Sequence, residues 1–327
     1  MMRILRAALY LGLLVMLWQV GRSYLPDEER AARSEVRATV ESIFPEEARR
    51  ARERFGLIRQ HTADPGMSEV VLVHGLDDPG KVWMNLAPAL QAAGYGVSVM
   101  EYPNDQPVRD SARELFDALK SMSHAGVDQL SIVAHSMGGL VSREMLTNPS
   151  FVCSGKDCSL PGVRRLIMIG TPNHGSHLAR FRGLGEVREQ LSRMIEGNGG
   201  GWLESIFDGA GEAGLDVMPD SSFLAELNSR EHPEGTELHI IAGVIARDEA
   251  ESLARLIDEA GLAPRGGVVV PLAEMIGDGL VSLESASLAG VPLRQVSGNH
   301  LSMIRNLTLS DKRVPPAIPI ILELLQE

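Results

Sequence analysis

Leu130-Ser131-Ile132-Val133-Ala134-His135-Ser136-Met137-Gly138-Gly139 is the stretch that decides the fold. An apolar, partly β-branched run passes directly into residues of helical character, with a serine at the junction. A serine held on so sharp a turn needs small residues two positions before and two after it, because the backbones there are crowded together. Ala134 and Gly138 meet that need. The turn pushes the hydroxyl of Ser136 out at the carboxyl end of a sheet, where the backbone N–H of Met137 and the helix N-terminus face a developing oxyanion. Ser136 is therefore a candidate nucleophile. The plainer alternative is a serine that caps a helix after a strand.

Outward from this junction the same alternation repeats. Apolar runs at residues 70–73, 97–100, 166–169 and 238–242 have the length and two-sided apolarity that central strands of a parallel sheet require. Residues 111–122 and 138–146 have helical character between them, giving a β-α-β-α order and an α/β fold with a mostly parallel central sheet flanked by helices. A last strand is expected at 293–296 and a final helix within 317–326. The interval between Thr171 and Leu238 breaks the pattern, holding the segment 184–195, a cluster of Gly197, Gly199, Gly200 and Gly201, then the apolar Trp202, Leu203, Ile206 and Phe207. It reads as a helical insertion over about 176–236, either a lid over an apolar pocket or an ordinary cap packed on the sheet.

The chain has 327 residues, enough for one large α/β domain with insertions or for two small domains, and shows no internal repeat. Its formal charge of −12, from 31 Lys and Arg against 43 Asp and Glu, repels a phosphate backbone and excludes nucleic acid as a partner. It also disfavours a broad electrostatic grip on anionic lipid, so membrane attachment must come from an apolar segment. Residues 7–20 supply one, apolar except for Gln19 and preceded by Arg3 and Arg6. That is the layout of a targeting segment, short for a spanning helix of roughly 20 residues. An uncleaved signal-anchor over 1–21 is favoured over a cleaved signal peptide, since no small-x-small cleavage site follows; a buried core helix is the alternative that the basic flank argues against. Either export reading places the catalytic domain at the cell envelope, anchored in the inner membrane and facing the periplasm or exterior, or else secreted. Residues 22–65 read as a charged helical linker, with Arg49, Arg50, Arg52 and Arg54 interleaved with Glu46, Glu47 and Glu53, and 66–327 as the main domain.

Cys153 and Cys158 are the two cysteines, close together in a segment rich in Gly, Ser, Asp and Pro. In an exported chain they read as a local disulfide worth about 2 kcal/mol in the chain-entropy model. A zinc site needs two further ligands, and no histidine lies in that loop.

The serine turn and its flanks resemble the α/β-hydrolase superfamily, in particular bacterial lipases, lipase-like esterases and inositol-deacylase-type hydrolases. The resemblance runs through motifs in chain order from Val70 to about Met303. Val73-His74-Gly75-Leu76 is similar to the strand-end oxyanion loop of lipases and implies that the Leu76 N–H is a second oxyanion donor beside Met137. Gly170-Thr171-Pro172-Asn173-His174-Gly175-Ser176 is similar to the turn after the next strand in that group. Leu215-Asp216-Val217-Met218-Pro219, with Ser222-Phe223-Leu224, resembles a segment of their cap region. Alanine at 134 departs from the commoner glycine, a replacement some lipases share.

In this fold the base follows the acid in chain order and sits in a loop after the last strand. His300, in Ser297-Gly298-Asn299-His300-Leu301, has that position. His74 and His135 belong to the oxyanion loop and the serine turn, and His174 and His177 precede the acid; a surface histidine is the plain alternative for His300. Gly277-Asp278-Gly279-Leu280-Val281-Ser282 resembles the Asp-Gly-x-Val turn that supplies the acid of lipases, although Asp278 also suits an ordinary turn. Asp248 is the alternative acid. Together the three residues fit acyl transfer through an acyl-enzyme on Ser136, acting on an apolar ester such as a lipid. An acyltransferase with the same triad, a non-catalytic hydrolase-like binding protein, and a peptidase or thioesterase are the competing readings. No cofactor and no metal is expected: where some lipases of this group have a calcium-binding aspartate two residues after the base, this chain has Ser302.

Overall fold

The computed structural model describes residues 35, 38–76, 80–103, 106–151, 160–176, 212–245, 277–306 and 312–327. Among these, seven strands form one sheet: β1 Gly56–His61, β2 Glu69–Val73, β3 Gly96–Glu101, β4 Gln129–His135, β5 Gly162–Ile169, β6 Glu237–Val244 and β7 Leu293–Ser297. Their spatial order is β1-β3-β2-β4-β5-β6-β7. All neighbours run parallel except β1, which is antiparallel to β3. Each apolar run expected from the sequence lies within one of these strands.

Because side chains alternate across a strand, apolar residues on both parities need cover on both faces of the sheet. Val71, Val73, Ile132, Ala134, Met168 and Ile240 face one core, shared with α3 Val108–His124 and α4 Met137–Thr147. Val70, Leu72, Val133, Ile167 and Ile241 face the other, shared with α2 Leu86–Ala92 and α8 Ala317–Gln326. On α3, Val108, Ala112, Leu115, Leu119 and Met122 recur every three or four residues and are buried, a single apolar stripe laid on the sheet. Each fully buried leucine of that kind stabilises the fold by roughly 1.5–3 kcal/mol.

The sheet begins earlier than the expected domain boundary at 66. Helix α1 Pro45–Arg52 lies in the charged stretch, with Arg49 between Glu46 and Glu53, but the chain then enters β1. The linker reading missed this strand because an edge strand has one neighbour and a wet face. Arg59, in an otherwise polar stretch, reaches Glu69 at 2.9 Å, and Leu57 and Ile58 are the strand's two apolar residues.

The described part of the insertion comprises α5 Glu212–Asp216 and α6 Ser222–Ser229, the latter burying Phe223, Leu224 and Leu227 in the α3/α4 core. Short α7 Leu283–Ala286 precedes β7. The expected targeting segment at 1–21, Cys153 and Cys158, Asp248 and the glycine cluster of the insertion lie outside the described residues. Among the described residues, no helix is long and apolar enough to cross a membrane.

Candidate active site

Since β2, β4, β5, β6 and β7 all run parallel, the loops leaving their carboxyl ends gather along one edge of the sheet. Ser136 stands there, between the last residue of β4 and the first of α4, with φ 55° and ψ −128°. A non-glycine backbone at positive φ costs on the order of 1–3 kcal/mol and persists only where its surroundings hold it. Here the Ser136 N–H donates to Ile169 O at 2.8 Å, and the next turn is closed by Gly139 N–H to Ser136 O at 3.1 Å. The smallness required around the serine has a direct cause: a Cβ at Gly138 would stand 2.2 Å from Val73 O, and one at Gly75 2.6 Å from the Ser136 Cβ. Gly138→Ala meets backbone that cannot move aside, so a loss of stability of about 3 kcal/mol or more is expected. Urea unfolding checks this; an unchanged midpoint would remove the steric argument.

His300 follows β7, and its Nδ1 lies 2.7 Å from Oδ2 of Asp278. The other Asp278 oxygen accepts from the N–H of Leu280 at 2.9 Å and of Val281 at 2.8 Å, and the His300 N–H donates to Asp278 O at 2.9 Å. A carboxylate presented this way takes the Nδ1 proton as a hydrogen bond, which leaves the lone pair on Nε2. Both side chains are buried, with His300 6% and Asp278 2% exposed. His300 and Ser136 line the same cavity, together with Leu76 and Met137, and its other walls include Val217, Leu280 and Val281. Of the residues singled out in the sequence, Ser136, His300, Leu76 and Met137 thus share one cavity and Asp278 touches His300.

Some contributors to this arrangement were not assigned a role from the sequence. A Cβ at Gly170 would lie 3.0 Å from Asp278 Oδ2 and 3.2 Å from His300 Cε1, and one at Gly243 2.8 Å from Asp278 Cβ. These two glycines, at the ends of β5 and β6, make the space in which Asp278 and His300 meet. His135 is the other omission. Its Nε2 donates to the backbone oxygen of His300 at 2.9 Å, and its ring lies 4.7 Å from that of His300. The signal for the glycines was their position at strand ends; that for His135 was its place beside the serine.

A polar network joins α4 and α6 to the turn after β5. Arg143, on α4, donates to Asn173 at 2.9 Å and to Asn228 of α6 at 2.9 Å, and burial, aided by the nearby Arg230 charge, lowers its pKa to about 10. Asn228 in turn donates to Asn173 O at 2.8 Å. Asp216, buried at the end of α5, accepts from the N–H of Val108 at 2.9 Å and so caps α3 from another part of the chain, where Pro107 has no side chain to do it. Asp216→Ala is expected to lower stability by about 1–2 kcal/mol. Denaturant titration reads this directly, and an unaltered midpoint would show that the cap contributes nothing.

A family profile described as a domain of unknown function (DUF7379) matches residues 101–199, a span that includes Ser136. No curated protein matches the chain. Solved structures similar to it include the lipase BlEst2 of Bacillus licheniformis in mature form, at 20% identity and a TM-score of 0.54, covering 82% of this chain and 97% of that one. The propeptide form of the same lipase gives 21% identity and a TM-score of 0.52, over 81% of this chain and 52% of that one. Phospholipase PlaB of Legionella pneumophila gives 17% identity and a TM-score of 0.52, over 80% of this chain, which spans 60% of PlaB. With a mostly parallel sheet, helices on both faces and these neighbours, the chain has the α/β-hydrolase fold of lipases and esterases.

Proposed function

We propose that this chain is a serine hydrolase of carboxylic esters, with Ser136 as nucleophile, His300 as general base and Asp278 as the acid that orients it. The observation that carries the reading is the 2.7 Å contact between Asp278 and His300 beside a cavity that His300 shares with a serine on a strained strand-to-helix turn. His300 Nε2 takes the Ser136 proton as Oγ bonds to the ester carbonyl carbon. The carbonyl oxygen becomes an oxyanion facing the N–H groups of Leu76 and Met137. Collapse breaks the bond to the alkoxy group, which leaves as alcohol with the proton returned by His300. Water then repeats the sequence on the acyl-enzyme and frees Ser136. Asp278 keeps the Nδ1 proton in place throughout and stabilises the imidazolium.

The substrate we propose is an apolar acyl ester, lipids included. The walls contributed by Leu76, Val217, Leu280 and Val281 support it, as do the names of the neighbours, a lipase and a phospholipase. Envelope location with a membrane anchor is proposed on residues 1–21 alone, from Arg3 and Arg6 ahead of the apolar run.

The test is hydrolysis of p-nitrophenyl butyrate, decanoate and palmitate by the full chain in detergent, with fluorophosphonate labelling alongside. Turnover with labelling at Ser136 is expected, and the chain-length profile defines the acyl preference. A folded chain that neither turns over any ester nor takes up the label overturns the proposal.

A further inference from the structure

We propose that His74 and Tyr102 are positioning residues that fix the peptide planes of the loop after β2, so that the Leu76 N–H faces the oxyanion formed at Ser136. This rests on the ester-hydrolase reading above.

Two consecutive carbonyls of that loop are held. The Tyr102 hydroxyl donates to His74 O, and the His74 Nδ1 lies 2.8 Å from Gly75 O. A carbonyl oxygen only accepts, so Nδ1 bears the hydrogen. A trans peptide is planar, and its C=O and N–H point in opposite directions. Anchoring the His74 carbonyl therefore sets the direction of the Gly75 N–H. Anchoring the Gly75 carbonyl sets that of the Leu76 N–H, on the residue that lines the cavity with Ser136 and His300.

The two anchors support each other. The rings of His74 and Tyr102 stack with centroids 4.3 Å apart and planes 7° from parallel, and both side chains are fully buried. Gly75 leaves the loop no room to shift toward the serine, given how close its missing Cβ would come to Ser136.

His74 is an expensive choice for a residue whose task is only to fill space. Its Nε2 is buried with no hydrogen-bond partner, 3.7 Å from Oε2 of Glu101. A buried polar atom left unpaired destabilises a fold, and an apolar ring would avoid that. What the imidazole adds over such a ring is the Nδ1–H on Gly75 O. Burial lowers the His74 pKa to about 4 and raises that of Glu101, so at neutral pH the ring is uncharged and its one proton sits on the nitrogen that the loop uses.

The experiment uses the full chain and four proteins: wild type, His74→Ala, His74→Asn and Tyr102→Phe. Each is assayed for kcat and KM on p-nitrophenyl butyrate, for inhibition by butaneboronic acid, and for its thermal midpoint. The boronate becomes tetrahedral on Ser136 and places an oxygen where the oxyanion forms, so it reports donor alignment as a substrate KM does not. In His74→Ala, kcat is expected to fall roughly 100-fold or more with KM within about threefold, and boronate affinity to fall by a similar factor. His74→Asn places an amide N–H near the former Nδ1 and is expected to recover about tenfold of that loss. Tyr102→Phe keeps the stacked ring and loses only the hydroxyl; a fall of about tenfold in both readouts is expected, and it carries the test alone if His74→Ala does not fold.

Folded variants with wild-type kcat overturn the proposal. So does a fall in kcat with undiminished boronate affinity, or an Asn variant no better than Ala. Wild type without turnover or fluorophosphonate labelling overturns the ester-hydrolase reading instead, and this proposal with it.

Discussion

Ser136→Ala is expected to lower kcat by roughly six orders of magnitude while leaving the thermal midpoint near that of the wild type. The two halves of this expectation have separate causes. In the proposed mechanism no acyl-enzyme forms without Oγ, and only substrate binding and the oxyanion donors remain to assist direct attack by water. The backbone at 136 sits at φ 55°, strained for serine and alanine alike, so the exchange relieves nothing and removes a single hydroxyl. His300→Ala is expected to cost a comparable factor, and the double variant little more than either one, because the proposed nucleophile and base act as one unit. Steady-state kinetics on p-nitrophenyl butyrate measure all three; additive losses would mean that the two side chains contribute independently.

Asp278→Asn is the second large effect, with an expected fall in kcat of about 10⁴-fold. An asparagine here retains an acceptor for the N–H groups of Leu280 and Val281, which fixes which way its amide faces. The NH₂ group then points at His300 Nδ1. Two donors cannot share that contact, so the imidazole moves its proton to Nε2, and the nitrogen that should accept the serine proton is occupied. The effect is on chemistry and not on packing, because the two side chains have almost the same shape. A fall of less than tenfold with an unchanged thermal midpoint would transfer the role of acid away from Asp278.

The central strands and the serine turn were legible because their causes are local. A run that is apolar on both parities can only be covered on both faces, and a serine between such a run and a helix, with Ala134 and Gly138 around it, leaves few conformations open. The edge strand β1 was not legible, since half-wet pairing with β3 leaves a polar sequence that a charged linker shares. The roles of Gly170 and Gly243 depend on what lies across two neighbouring strands, and that of His135 on a carbonyl 165 residues away. No window along the sequence contains both members of such pairs. Asp216 illustrates the same limit: as part of a quoted motif it was visible, but its partner, the N–H of Val108, is 108 residues upstream.

The link between Asp216 and α3 has a practical meaning for anyone trimming this chain to a minimal scaffold. The insertion looks expendable on a topology diagram, since β5 and β6 pair side by side without it. Yet its later part supplies a helix cap through Asp216, a polar clasp through Asn228 and the apolar side chains of Phe223, Leu224 and Leu227. A deletion that reaches past Glu212 removes part of the foundation, and the shortened protein would need replacement caps and core volume designed into α3 and α4 before it could fold.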